Sequence, residues 1–331
     1  MEEDIKLSII IPAYNVAEYI QACIESCEAQ DIKYSEYELI IVNDGSTDNT
    51  CQVIRSLQLR YSNIRLINQS NQGQSVARNK GIEKAHGLYI WFVDSDDCIT
   101  KNCIGSVLQF MEKNDLDAFN VIPCTESKFY PTFCEEVFLT NISEVVSGPD
   151  FIIQNQPIIV APWGYVFKTA FWRRYNFSFI PNIYHEDAQL LPIVISKCSK
   201  IAAVSRQISF YSYTLRPGST VNSLPNLKKI KGYALIVDTH MRYAKELEQL
   251  ELKKYFECSA SASFIEGIKM IYHYGKDYKN LVHKFCNNIA IRPHKIFPTT
   301  LGRSIYDYFI LFNPLLYCRV RKALTRNSPS L

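Results

Sequence analysis

Asp94-Ser95-Asp96 sets two carboxylates two residues apart, directly after the apolar run Leu88-Tyr89-Ile90-Trp91-Phe92-Val93. On one extended tip, that spacing lets both acids share a divalent ion of the Mg2+ or Mn2+ type, which prefers hard oxygen ligands and completes its shell with water and diphosphate oxygens. The competing reading is an acidic turn capping a helix over residues 99–111. Two further apolar runs also end in polar groups: residues 7–11 in Pro12-Ala13-Tyr14-Asn15, and residues 39–42 in Asn43-Asp44-Gly45-Ser46. Glu186-Asp187 opens a helical pattern through Leu190, Leu191, Ile193, Val194 and Ile195; carboxylates there serve either the helix dipole or acid-base chemistry. Arg216-Pro217-Gly218-Ser219 suits a loop that closes a guanidinium over a phosphate, or a plain turn. Trp163 next to Gly164 suits a sugar face and a core position equally. The six histidines show no H-x-x-x-H spacing, and none is assigned to metal.

The elements that must carry these groups alternate strand and helix. Residues 7–11 read as a buried strand, followed by a helix that Asn15 caps, with Glu18 three residues on as in a capping box. Residues 39–42 form a second strand, and Asp44-Gly45-Ser46-Thr47-Asp48 a turn into a helix through Val53, Ile54 and Leu57. Residues 64–67 give a short third strand, 74–85 a helix closed by Gly87, and 88–93 a fourth strand. Strands without polar alternation, set between helices, predict a parallel sheet covered on both faces. Ligands of such sheets bind outside the carboxyl ends of the strands, where the three polar strand ends fall.

Taken in order, Leu7-Ser8-Ile9-Ile10-Ile11-Pro12-Ala13-Tyr14-Asn15, Ile41-Val42-Asn43-Asp44-Gly45-Ser46-Thr47-Asp48, Asn71-Gln72-Gly73 with Arg78-Asn79, Trp91-Phe92-Val93-Asp94-Ser95-Asp96-Asp97, Glu186-Asp187 and Arg216-Pro217-Gly218-Ser219 resemble the signatures of the family 2 inverting glycosyltransferases, of bacterial capsule or exopolysaccharide type. The resemblance covers about the first 220 residues. It implies an α/β fold of GT-A type with a mostly parallel central sheet, binding a nucleotide sugar, commonly a uridine diphosphate sugar. It places Pro12, Tyr14 and Asp44 around base and ribose, with Asp44 accepting from the pyrimidine imide, and Arg78 beside the nucleotide. It makes Asp94, Ser95 and Asp96 donor-binding, with Asp94 and Asp96 holding Mn2+ or Mg2+, and sets Arg216 at the diphosphate. Asp187 matches the base that takes the proton of an acceptor hydroxyl; Glu186, and Trp163 if it stacks, would touch donor sugar or acceptor. The implied acceptor is a glycan or a lipid-linked oligosaccharide in surface polysaccharide synthesis.

The chain has 331 residues, enough for about two domains at roughly 150 residues each. Hydrophobic residues at 47% and charged residues at 21% exclude disorder and fibrous repeats. Eleven cysteines without a C-x-x-C pair argue against a zinc ribbon or closed disulfide framework, and for buried thiols in a reducing compartment. The acidic Met1-Glu2-Glu3-Asp4 start does not read as a signal peptide. A cytoplasmic protein is expected, and no nucleic-acid partner.

The catalytic domain is expected over residues 1–222, and a helical C-terminal region over 223–331. From Lys284 onward there are eight Lys/Arg against Asp307 alone, so this stretch is net positive while the residues before it, with 28 Lys/Arg against 32 Asp/Glu, are net negative in a chain of net +3. With the apolar and aromatic residues between 306 and 318, this fits an anionic membrane surface, peripheral on the inner face of the cell membrane. The alternative is that the apolar face packs on protein. Two rival functions remain: a catalytically silent nucleotide-sugar-binding subunit of an assembly complex, and a haloacid-dehalogenase-like phosphohydrolase. The latter is weakened by Cys98, where Thr or Val is expected. Absence of G-x-G-x-x-G argues against a dinucleotide-binding dehydrogenase.

Overall fold

A computed structural model describes residues 5–121, 142–204, 209–214, 224–274, 277–290, 310 and 313–326. The chain divides into two compact units, Met1–Asn182 with Leu190–Arg216, and Ile183–Gln189 with Pro217–Leu331. The helix that opens at Glu186 thus lends its first turn to the second unit.

The first unit is built on β1 (Leu7–Ala13), β2 (Tyr37–Asp44), β3 (Ile64–Gln69) and β4 (Tyr89–Phe92), all parallel. Helices α1 (Ile20–Glu28), α2 (Thr50–Gln58) and α3 (Gln74–Lys84) connect them. Every residue of β2 is buried, as expected for a strand covered on both faces. Each large aliphatic side chain so enclosed contributes roughly 1.5–3 kcal/mol. Then follow β5 (Cys98–Ile99), α4 (Ile104–Asn114), β6 (Ala118–Asn120), α5 (Gly148–Gln154), a 3-10 turn at Pro162–Gly164, β7 (Tyr165–Lys168), α6 (Thr169–Arg174), α7 (Glu186–Ser196), β8 (Ile201–Ala203) and β9 (Tyr211–Ser212). The main sheet runs β3-β2-β1-β4-β7-β6-β8, with β7 antiparallel to both its neighbours and β6 parallel to β8. Much of the aromatic content is core: Trp172 packs on Phe92, Phe167, Phe177 and Phe179 at centroid distances of 5.1–5.8 Å.

Several local expectations change. Asn15 caps no helix, because α1 starts at Ile20 and Asn15 instead adopts φ +50° in the loop before it. The helix expected from residue 99 starts at Ile104, since Cys98 and Ile99 pair with Ser212 and Tyr211. Helix α3 ends at Lys84, and Gly87 serves packing: a Cβ there would lie 2.4 Å from the Ser8 backbone nitrogen. The aromatic segment at residues 129–133 lies outside the described residues.

The second unit contains α8 (Leu227–Glu246), α9 (Leu250–Tyr274), α10 (Tyr278–Asn287) and α11 (Pro314–Arg326). Ile230, Ala234 and Val237 of α8 meet Phe264, Ile268 and Ile271 of α9 at helical spacing. Ile310, Tyr317 and Cys318 are buried in this same core, so part of the apolar C-terminal stretch packs on its own unit, while Leu316, Arg319, Val320 and Arg321 are exposed. Among the described residues, no helix is long and apolar enough to cross a membrane.

Candidate active site

Because β1 to β4 run parallel, their carboxyl ends share one edge, with Ala13 opposite Asn43 and Asp44 opposite Gln69. Side chains lace the loops leaving β1 and β2. Asn15 Oδ1 accepts from Thr47 N at 2.8 Å, Ser46 Oγ accepts from Asn15 N at 3.1 Å, and Asp48 Oδ2 accepts from Ala17 N at 3.1 Å. Thr50 Oγ1 accepts from Val16 N at 2.8 Å. The edge carrying half-buried Pro12 and exposed Tyr14 is thereby fixed to the edge carrying Asp44.

Asp44 is 3% exposed and organises the loop after β3. Its Oδ1 accepts from Gln69 Nε2 at 2.7 Å and Gln72 N at 2.9 Å, and its Oδ2 accepts from Gly73 N at 2.8 Å. A carboxylate has about four acceptor sites, so Asp44 keeps capacity for one further donor. The geometry requires two glycines. Gly45 (φ +73°) lies where a Cβ would come within 2.7 Å of Asn71 N, and Gly73 has φ +89°, which side chains disfavour.

Gln72 and Gly73 lead into α3, which carries Arg78. This guanidinium is 3% exposed, donates to Asp94 Oδ1 at 2.8 Å, and lies 5.5 Å from the Phe179 ring centroid. The acid that Arg78 pairs with is the first acid of the D-x-D. Residues 94–97 form a turn closed by Asp97 N donating to Asp94 O at 3.0 Å, with buried Ser95 and half-buried Asp96 at its centre.

Asp97 went unassigned from sequence, yet it is 1% exposed with a hydrogen bond on each oxygen. Its Oδ2 accepts from the Tyr211 hydroxyl at 2.6 Å and its Oδ1 from Thr214 N at 2.7 Å. Burial pushes its carboxyl up to about 7, the charges of Asp94 and Asp96 add to the rise, and the two hydrogen bonds oppose it. Tyr211 in turn stacks on Trp163 at 4.4 Å and 10°. Trp163 therefore commits one face to Tyr211 and packs against the core.

In the second unit, Glu186 and Asp187 stand in the first turn of α7. Glu186 is 1% exposed; Asp187 is half-buried and its Oδ1 accepts from Ala188 N at 2.7 Å. His185, at φ +65°, accepts the first helical bond from Gln189 N, and burial together with the Lys229 charge pushes its imidazole pKa down. Arg216 lies outside the described residues.

The turn offers carboxylate oxygens of the kind a hard divalent ion takes, and among the described residues no group of three or more His, Cys, Asp or Glu is arranged to hold a metal ion. Each Asp97 oxygen accepts a hydrogen bond and Asp94 Oδ1 bonds Arg78; oxygen ligands from this turn would come from Asp94 and Asp96. Sequence reasoning missed Gln69, Asp97, Tyr211 and Thr214. Asp97 adjoined a motif already identified, whereas Tyr211 lies 117 residues from Asp94 with no local signal.

Residues 8–132 match the family model "Glycosyl transferase family 2". The chain is 33% identical over 192 residues to the uncharacterized glycosyltransferase YibD of Escherichia coli (strain K12), covering 55% of this chain and 54% of that protein. It is 28% identical over 227 residues to glycosyltransferase GlyA of Streptococcus pneumoniae serotype 4, covering 65% and 31%. It is 30% identical over 219 residues to the uncharacterized glycosyltransferase EpsJ of Bacillus subtilis (strain 168), covering 64% and 62%. The aligned chain thus spans less than two thirds of each relative's length. Among solved structures, residues 1–349 of S. aureus TarS in complex with UDP-GlcNAc superpose with a TM-score of 0.70 at 18% identity, covering 98% of this chain and 93% of that one. The shared fold is GT-A.

Proposed function

We propose, from the match of residues 8–132 to the glycosyl transferase family 2 model and from the GT-A fold, that this chain transfers a sugar, with inversion, from a nucleotide diphosphate donor to a hydroxyl of a glycan or lipid-linked oligosaccharide in surface polysaccharide synthesis. The observation that carries this reading is the pair of buried Arg78 with half-buried Asp94, which joins α3 to the acidic turn at the carboxyl edge of the sheet. A uridine nucleotide is favoured by the single acceptor site left on Asp44, suited to one imide N–H, and by the TarS structures with UDP-GlcNAc and UDP.

In this mechanism Pro12 and Tyr14 flank base and ribose, and Asp44 reads the imide while holding the Gln72-Gly73 backbone against it. Asp94 and Asp96 would hold Mn2+ or Mg2+, which when bound would spread the charge of the departing diphosphate. Arg78 orients Asp94 through its hydrogen bond, and Arg216 contributes a second cationic group for the leaving phosphates. The acceptor oxygen bonds to the anomeric carbon as the bond to the diphosphate oxygen breaks, and Asp187 takes the hydroxyl proton. Glu186 contacts donor sugar or acceptor. The exposed basic and apolar residues of α11 rest on an anionic membrane surface.

A calorimetric screen of uridine, guanosine and thymidine sugar nucleotides with Mn2+ tests the donor. One nucleotide class should bind, and the bound donor should release free sugar slowly without acceptor. Binding without any sugar release would favour the silent subunit.

A further inference from the structure

The acidic turn is held by more than its own carboxylates. Its first and fourth residues, Asp94 and Asp97, are both tied to one phenol: the Tyr211 hydroxyl accepts from Asp94 N at 3.0 Å and donates to Asp97 Oδ2 at 2.6 Å. That single oxygen therefore supplements the turn's own hydrogen bond between Asp97 N and Asp94 O. The carbonyl of Asp94 also accepts from Cys23 Sγ at 3.5 Å, so both its backbone groups are engaged.

Tyr211 itself has little freedom. It sits on β9, opposite Ile99 of β5, the strand that directly follows the turn. Its ring lies against Trp163, whose carbonyl accepts from Trp91 Nε1 at 2.9 Å, and Trp91 belongs to β4, the strand that directly precedes the turn. The turn is thus gripped from its entering and leaving strands through one aromatic stack. Tyr211 is 4% exposed, so its hydroxyl is shielded from competing water.

We propose that Tyr211 is a positioning residue for the donor site: its hydroxyl presets the Asp94–Asp97 turn so that Asp94 and Asp96 meet a divalent cation and the donor diphosphate without reorganising. The proposal rests on the glycosyltransferase reading of that turn. Partners of this kind, which orient ligating groups without touching the ion, typically change metal affinity about 10–100-fold when removed. Neither Trp163 nor Tyr211 contacts the sugar in this account; their role is to hold the turn.

The test is calorimetric titration of UDP into the full chain with and without Mn2+, for wild type, Tyr211→Phe and Ser212→Ala, with the Mn2+ electron paramagnetic resonance signal as a second readout. Tyr211→Phe preserves the Trp163 stack and removes only the oxygen. The expected result is a Mn2+-dependent UDP affinity about 10-fold or more weaker in Tyr211→Phe, a matching rise in the free Mn2+ signal, an unfolding midpoint within a few degrees of wild type, and no change in Ser212→Ala. Equal Mn2+-dependent affinity in wild type and Tyr211→Phe overturns the positioning role. Equal weakening in Ser212→Ala also overturns it, because the effect would then belong to β9 as a whole. If wild type itself binds UDP without regard to Mn2+, the metal reading of the turn has failed first.

Discussion

Arg78 and Asp94 form an ion pair of very unequal burial: the guanidinium is 3% exposed, the carboxylate 28%, and they meet at 2.8 Å. A buried guanidinium deprived of its carboxylate is costly, whereas a half-exposed acid elsewhere on the turn is not. The pair therefore has a structural role as well as a chemical one.

Asp94→Asn should destabilise the first unit by about 2 kcal/mol through loss of a charge-assisted hydrogen bond, with Asp96→Asn costing less than about 0.5 kcal/mol. Denaturant midpoints of the two variants, compared with wild type, check this. Equal destabilisation would show that the Arg78 bond contributes nothing beyond general turn chemistry.

Asp187→Asn keeps the shape of the first turn of α7 and removes the proton acceptor. Donor affinity should survive, and single-turnover sugar transfer should fall about 100-fold or more. A variant that turns over at the wild-type rate would move the base to another residue, with Glu186 next.

His240 supplies a pH dependence. It is fully buried, with Nε2 3.2 Å from the Gln189 carbonyl and Nδ1 3.0 Å from Ser259 Oγ. A carbonyl only accepts, so Nε2 carries the proton and Nδ1 accepts from the serine in the neutral ring. Burial pushes the pKa down to about 4. Because the unfolded state then binds the extra proton first, the contribution is intact above about pH 6.5 and is lost as pH falls from there towards 4, by an amount on the order of 3 kcal/mol. Unfolding midpoints of wild type and His240→Asn across that window should converge on acidification; parallel curves would contradict the assignment.

Much of the parallel half of the fold was legible because the apolar runs before Pro12, Asn43 and Asp94 lack polar alternation, and because those strands end in polar groups. What was not legible depends on distant partners. Nothing near Asn15 announces that its side chain will serve Thr47 in place of α1, and nothing near Cys98 announces that Ser212 will pair with it and delay α4 to Ile104. The same holds for Tyr211, whose role exists only once β9 lies beside β5. The ion pair of Arg78 with Asp94, 16 residues on, likewise has no local signal.

The C-terminal expectation is refined in the same way. Ending the chain near Pro298 would remove Tyr317 and Cys318 from the helical core, so such a truncation is a poor probe of membrane attachment. Leu316 and Val320 are exposed beside Arg319 and Arg321. Leu316→Ser with Val320→Ser should abolish sedimentation of the full chain with phosphatidylglycerol-containing vesicles while the fold persists. Unchanged pelleting, or no pelleting of wild type, rejects a membrane role for this face.

The account depends most on the acidic turn receiving a metal-bound nucleotide donor. The direct measurement is calorimetric titration of a uridine diphosphate sugar into wild type and Asp96→Ala, each with and without Mn2+, after circular dichroism has established that both are folded. Mn2+ should strengthen binding to wild type, and that strengthening should vanish in Asp96→Ala. Unchanged Mn2+-dependent affinity in the folded variant would contradict the assignment of the turn.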